Sequence, residues 1–144
     1  MSMRDMPRSA FAHVSPVQTR WSDNDVYGHV NNVVYYSYFD TAVNRFLIDN
    51  RVLDIQSDPV VGYVVETGCS YFRPISFPET LNVGLRVARL GTSSVHYEVA
   101  LFRAGDDTPA AAGHFVHVYV DRRTGRSAPI PEPARRLLST VATP

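Results

Sequence analysis

The densest group of polar side chains stands in the segment WSDNDVYGHVNN, residues 21–32. An apolar pattern typical of a helix follows, so the last residues of this segment lie where backbone N–H groups are unpaired and the helix dipole is positive. Such a helix start can stabilise an oxyanion on a carbonyl group. Asp25 precedes that start by seven residues, and a loop can bring its carboxylate alongside. The segment thus has the parts for attack on a carbonyl, with Asp25 as general base or nucleophile.

The same side chains also suit a structural role. Asp and Asn shape turns and cap helices by hydrogen-bonding nearby backbone groups. Asp23 and Asp25 can do the first, and either Asn31 or Asn32 can be the N-cap of the following helix. Composition alone favours this structural interpretation. If it holds for Asp23, replacing that residue by Asn lowers activity much less than replacing Asp25 by Asn.

The elements that must position this segment follow from the spacing of apolar residues. Between residues 33 and 50 they recur every three to four positions, which predicts one long amphipathic helix. Alternation predicts a short strand at 15–21 and four more at 60–72, 80–90, 94–103 and 110–121, joined by the short, Gly-containing linkers of antiparallel hairpins. A short helix is predicted near residues 133–141. The fold class is therefore α+β.

The chain has the size and balance of one globular domain. It has 144 residues, with 14 basic and 14 acidic side chains, and zero net charge excludes the footprint of a general nucleic-acid or anionic-membrane binder. Every basic residue is Arg, which excludes lysine Schiff-base chemistry. Residues 1–13 lack periodicity, which predicts a flexible N-terminal arm before a single domain at 14–144. No apolar run approaches the roughly 18 residues of a membrane span, and we expect a cytoplasmic protein.

Other residues that could do chemistry carry weaker signals. Glu66 is an acidic residue among Val and Tyr in the predicted strand 60–72, and it either faces solvent or orients water at a site shared across a dimer. Cys69 has no Cys/His signature beside it and is typical of a core residue. No G-x-S-x-G serine elbow occurs. No metal site is predicted, because the strand histidines lack metal-ligand spacing: His96, His114 and His117.

The segment RWSDNDVYGHVNNVVYYSYFD resembles the opening motif of the hotdog-fold thioesterases, specifically the group of 4-hydroxybenzoyl-CoA thioesterase. Its HVNN part is similar to the plant acyl-carrier-protein thioesterases. YFRPISFPETL with Pro74, the hairpin RVARLGTSSVHYE and the ending VHVYVDRRTGRSAPIP extend the resemblance from about Thr19 to Leu138. It implies a long central helix wrapped by a curved antiparallel sheet of about five strands. It also implies a homodimer or homotetramer with active sites between subunits.

The resemblance implies a role for several residues of the motif. The catalytic aspartate of the family matches Asp25, the backbone N–H that polarises the thioester carbonyl corresponds to Asn32, and His29 is the histidine of HVNN. Plant enzymes carry Asn where this chain has Tyr27, and Glu where it has Val33. The plant-type set of side chains is therefore incomplete here.

The function implied is hydrolysis of an acyl-CoA thioester to acid and CoA, with no cofactor apart from the CoA of the substrate. Alternatives are an acyl-carrier-protein thioesterase and a non-catalytic acyl-CoA-binding protein. A hydratase is disfavoured, because its D-x-N-P-x-H pattern does not fit after Asp25. The aromatic residues at 35, 36, 38 and 39 suit short, long or aromatic acyl groups equally. The candidate substrate-binding residues are Gly28, Asn31, Tyr36, Arg89, Arg122 and Arg123. The three arginines are candidates for pairing with the phosphates of CoA.

Overall fold

The computed structural model describes residues 2–144. One five-stranded sheet carries a long helix on one face. No helix within residues 2–144 is long and apolar enough to cross a membrane. The strands and helices are β1 (His13–Gln18), α1 (Asn32–Asp49), β2 (Val60–Tyr71), β3 (Thr80–Leu90), β4 (Ser94–Arg103), β5 (Ala111–Asp121) and α2 (Glu132–Ser139).

The strand order is β1-β3-β4-β5-β2, and every neighbouring pair is antiparallel. β1 and β2 are therefore the two edges of the sheet. Helix α1 connects these two edge strands along the chain and packs across one face of the sheet. This is the hotdog arrangement, and the fold class expected from the sequence is confirmed.

Helix α1 forms because its apolar residues share one face and its first turn is capped. Phe39 and Val43 are fully buried, and the Phe39 ring lies 6.5 Å from that of Phe115 on β5. Burying one such side chain stabilises the fold by about 1.5–3 kcal/mol. The prediction from residue spacing is confirmed, although Tyr36 is only half-buried. The buried face consists of Tyr35, Tyr38, Phe39, Ala42, Val43, Phe46 and Leu47.

Of the arm expected to be flexible at residues 1–13, Met1 lies outside the described residues, and the segment around Phe11 packs on the face of the sheet opposite α1. Phe11 is buried, with its ring 6.0 Å from that of Phe102. Gly84 on β3 makes room for it, because a Cβ there would lie 2.7 Å from Phe11 Cγ. Arg8 donates hydrogen bonds to the backbone oxygens of Asp106 at 2.7 Å and Arg103 at 2.8 Å. The sequence missed this packing because a single aromatic residue has no periodicity.

A β-bulge interrupts β2 between Val64 and Glu66. Val64 pairs with His117 of β5, on the face that carries α1, and Glu66 pairs with Val116, on the opposite face. Strict alternation would have placed residues 64 and 66 on the same face. The extra residue, Val65, reverses the facing of the rest of the strand.

Candidate active site

The loop that carries Asp25 is closed by its own backbone. The Asp25 N–H donates to His29 O at 2.9 Å, and the Gly28 N–H donates to Asp25 O at 3.1 Å. Gly28 has φ +83°, a left-handed conformation that favours glycine. An isolated bridge joins Asn24 to Val30 on either side of the loop. Residues 24–30 thus form a compact turn that ends at the start of α1.

A second segment, residues 75–77, forms hydrogen bonds with this turn. The Val30 N–H donates to Ile75 O at 2.8 Å, and the Ser76 hydroxyl donates to Gly28 O at 2.9 Å. The Phe77 N–H donates to the Asn24 side chain at 3.0 Å. The sequence did not reveal these contacts, because nothing in the motif points to a segment so distant along the chain.

The first turn of α1 has an N–H group available for a ligand. Of the two N-cap candidates from the sequence, Asn31 is the cap, and its side-chain oxygen accepts from the Val33 N–H at 3.0 Å. Within residues 2–144 the Asn32 N–H donates to no protein acceptor, and Asn32 is exposed. Tyr71 at the end of β2 donates from its hydroxyl to Asn32 O at 2.9 Å, which ties the helix start to the sheet. A free N–H at a helix start can donate a hydrogen bond to an oxyanion.

The Asp25 carboxylate is half-buried, and its Oδ1 accepts from the Tyr27 N–H at 2.8 Å. This bond fixes one oxygen and leaves Oδ2 free of protein donors among the described residues. His29 is exposed and takes part in the loop through its backbone carbonyl. The structure therefore brings together Asp25, Gly28, His29, Asn31 and Asn32, as the sequence motif suggested.

Asp23 differs sharply from Asp25. Its side chain is fully buried, and its Oδ2 accepts from the Tyr38 hydroxyl at 2.6 Å and from the Arg20 N–H at 2.8 Å. Arg20 Nε adds a bond to Oδ1 at 3.0 Å, and the Asn31 N–H donates to the backbone oxygen of Asp23 at 2.9 Å. Burial alone would raise the pKa of this carboxyl, but the donors from Tyr38 and Arg20 outweigh it and hold the pKa below its ordinary value. Asp23 is thus a buried tie between the loop and α1.

Near the helix start, the side chains of Tyr36, Tyr71 and Cys69 lie close to one another. Burial raises the pKa of the Cys69 thiol to about 11, so the thiol is protonated at neutral pH. A nucleophilic cysteine needs the opposite shift. Of the neighbouring aromatic residues, Tyr35, Tyr38 and Phe39 belong to the core, and the Tyr35 ring packs edge-on against that of Tyr71, with 4.8 Å between the ring centroids.

Glu66 is not brought to this site. The bulge at Val65 turns its side chain to the face opposite α1, where Oε1 lies 3.0 Å from His114 Nε2. Both side chains are largely exposed there, and the sheet separates them from Asp25. Within one subunit the register shift therefore keeps Glu66 away from the Asp25 loop, and its role in orienting water at a site shared across a dimer stays a prediction.

The three arginines proposed for CoA phosphates lie at the other end of the sheet from Asp25. Arg89 is exposed at the end of β3, and Arg123 is exposed in the turn after β5. Arg122 donates from Nη1 to Ile55 O at 2.9 Å and Asp58 O at 3.3 Å, which anchors the loop after α1. Within residues 2–144, no three His, Cys, Asp or Glu side chains are grouped so that they could hold a metal ion.

Gly28→Val should reduce kcat about tenfold or more, while the Kd of an unreactive acyl-CoA analogue changes less. The reason is that an oxyanion forms only toward the transition state, and a Cβ strains the backbone that aims the helix start. A Cβ at Gly28 meets nothing within 4 Å, so the effect comes from φ alone. Gly105→Val is the matched control, because Gly105 has φ +81° and equally open surroundings. A collapse of Kd with unchanged kcat would instead make residues 28–32 a substrate-binding turn.

Comparison with known proteins places this geometry in a family. The sequence model of the thioesterase-like superfamily matches residues 19–138. The solved structure of the PA5185 protein from Pseudomonas aeruginosa strain PAO1 is 52% identical, with TM-score 0.93 and 96% of each chain covered. Slr0204 from Synechocystis, a 1,4-dihydroxy-2-naphthoyl-CoA thioesterase, has TM-score 0.80 at 18% identity, covering 88% of this chain and 94% of its own.

The protein YsmA from Bacillus subtilis (strain 168) is 28% identical over 130 residues, which covers 85% of each chain. The family match spans the loop of Asp25, the whole of α1 and all strands from β2 to β5. With the hotdog sheet around α1 and the motif at its start, this chain belongs to the thioesterase-like superfamily.

Proposed function

We propose that this protein hydrolyses acyl-CoA thioesters, with Asp25 as the catalytic carboxylate and the Asn32 N–H as the oxyanion donor. The single observation that carries the proposal is the free N–H at the start of α1 beside the closed loop of Asp25. The Asn31 side chain caps the N–H of Val33, so the helix start is ordered while the N–H of the exposed Asn32 stays available to the substrate. Family membership supports the reaction class.

In the general-base route, Asp25 takes a proton from water as the water oxygen adds to the thioester carbonyl. The carbonyl oxygen becomes an oxyanion and accepts the Asn32 N–H. The intermediate then collapses, the C–S bond breaks, and the CoA thiolate takes the proton back from Asp25. In the nucleophilic route, Asp25 itself displaces the thiolate to form a mixed anhydride, which water hydrolyses. Both routes use only groups of this chain, water and the substrate.

A thiol-release assay over a panel of acyl-CoAs tests the proposal. The panel should contain short, long and aromatic acyl groups, including 1,4-dihydroxy-2-naphthoyl-CoA, because a protein of the same fold acts on that compound. The same acyl groups on acyl carrier protein distinguish the carriers. We expect turnover with CoA thioesters. Turnover with the carrier protein alone, or tight binding without turnover, would replace the proposal by one of its two alternatives.

We further propose that the active form is a homodimer joined through β2. Among the described strands β2 pairs only with β5, so its outer edge has no partner within residues 2–144. That edge is long and carries exposed apolar side chains, among them Tyr63, Val64 and Val65. A long, exposed, apolar edge strand is a template for pairing with a second chain.

Val65→Lys should convert the dimer to monomers and lower hydrolysis, because a charge on an edge strand opposes pairing. Sedimentation at micromolar concentration measures the mass, and thiol release measures activity. Val14→Lys on β1 is the matched control, because it adds the same charge at the opposite edge of the sheet. A fully active monomer would contradict the dimer.

A further inference from the structure

An apolar groove lies at the opposite end of α1 from Asp25. It has a volume of about 840 Å³, within the usual size of a small-molecule site. Its walls come from the last turn of α1, the loop that follows, the first residue of β2 and the segment before α2. They are mainly apolar and include Ile48, Val52, Leu53, Val60, Pro129 and Pro131.

Within one subunit this groove cannot serve the Asp25 loop. Helix α1 has 18 residues and is about 27 Å long, and the loop and the groove lie beyond its two ends. An acyl group held at the Asn32 N–H would have to run the whole length of the helix to reach it. The groove and the catalytic loop of the same subunit are therefore separate.

Pairing through β2 changes this relation. β2 runs from Val60 to Tyr71, and two antiparallel copies paired about its middle place Val60 of one subunit opposite the partner subunit's Tyr71. Val60 is a wall of the groove, whereas Tyr71 hydrogen-bonds to Asn32 at the helix start. Each groove then opens beside the catalytic loop of the other subunit.

We propose that this groove receives the apolar tail of the acyl group whose thioester is cleaved at Asp25 of the partner subunit, and so sets acyl-chain length. The inference rests on the proposed function and on pairing through β2. The lining suits an uncharged tail. The charged residues of the lining are Asp54, Asp58 and Arg51, so the two carboxylates outnumber the one cation and disfavour the phosphates of CoA. The Arg122 guanidinium nearby is already bound to two backbone oxygens.

Two substitutions at Ile48 test the size of the groove in opposite directions. Ile48 lies in the last turn of α1 and is 42% exposed, so both changes are compatible with folding. Ile48→Trp should lower kcat/KM about tenfold for dodecanoyl-CoA while butanoyl-CoA is hardly affected, because discrimination by pocket size is of this order. Ile48→Ala should shift the preference to longer chains. Val14→Trp, on the far edge of the sheet, is the control and should change neither.

A mixed dimer tests whether the groove acts across the interface. One subunit carries Asp25→Asn and the other Ile48→Trp, each with a different tag so that the mixed dimer can be purified. Its one working Asp25 then faces the unmodified groove of the other subunit. We expect the ratio of dodecanoyl- to butanoyl-CoA hydrolysis to return to that of the wild type. A ratio equal to that of the Ile48→Trp homodimer would overturn the proposal.

Two further outcomes separate this inference from the proposed function. If the wild type hydrolyses acyl-CoAs but the Ile48 variants show no dependence on chain length, the groove is not the acyl site. If Ile48→Trp lowers kcat/KM equally for all chain lengths, the groove holds the pantetheine arm of CoA instead, and this result also overturns the inference. If the wild type hydrolyses none of the panel, the proposed function fails, and the Kd values of unreactive dodecanoyl and butanoyl thioether analogues still test the groove.

Discussion

Asp25→Asn should lower thioester hydrolysis by about a hundredfold or more, because a general base or nucleophile supplies at least that factor. The substitution keeps an oxygen that can accept from the Tyr27 N–H, so the loop should remain closed. The measurement is kcat by thiol release, beside the melting temperature of the same sample. We expect a large loss in the first and almost none in the second.

A matched control for Asp25 is Asp121→Asn. Asp121 lies at the end of β5, and its carboxylate accepts from the Arg123 N–H at 2.8 Å. Asp25 makes the same kind of hydrogen bond, because its carboxylate also accepts from the N–H two residues later, that of Tyr27. Asp121→Asn should leave kcat near the wild-type value. If Asp25→Asn and Asp121→Asn behave alike, Asp25 shapes a turn and the catalytic carboxylate lies elsewhere.

Asp23→Ala should lower the free energy of unfolding by about 3 kcal/mol, since it removes a buried charged acceptor and leaves its donors unpaired. The donors are the Tyr38 hydroxyl and two N–H groups of Arg20. Tyr38→Phe removes a single bond and should cost about 1 kcal/mol. Because the two residues share that bond, the double variant should lose less than the sum of the single losses. Denaturant unfolding of the three variants measures these values.

The cost of Asp23→Ala should also depend on pH. The pKa of Asp23 is lowered in the folded state, so its contribution to stability is present above the ordinary carboxyl pKa and is lost as pH falls through the folded value. The difference between wild type and variant should therefore shrink in acid. An unfolding free energy within about 0.5 kcal/mol of wild type at neutral pH would contradict the buried tie.

The motif alone could not separate the roles of Asp23 and Asp25. Both are aspartates in one polar segment, and Asp23 is the buried one because it accepts a hydrogen bond from the hydroxyl of Tyr38, 15 residues further along the chain. Asp23→Asn is expected to lower hydrolysis much less than Asp25→Asn, and the structure adds that the Asp23 carboxylate lies in a buried hydrogen-bond network that supports the fold. The local sequence shows that a carboxylate is present, but it does not show which groups its oxygens contact in the folded protein.

Glu66 shows the same limit for strands. Alternation along 60–72 predicted the strand correctly, and a period of two is sufficient to find one. The facing of a residue within it requires an unbroken register, and the bulge at Val65 is invisible in a run of valines. By contrast, α1 could be predicted and its cap could be narrowed to Asn31 or Asn32, because helix periodicity and capping are local properties of consecutive residues.

The contact between Phe11 and Gly84 has a consequence for how this sequence can change. The effect of a substitution at either position depends on the residue at the other, because the buried Phe11 ring packs into the space where Gly84 has no Cβ. A methyl group at position 84 requires a smaller side chain at position 11, and a smaller side chain at 11 leaves a void that only a larger residue at 84 can fill. Substitutions at these two sites are therefore expected to occur together, as a single inherited unit.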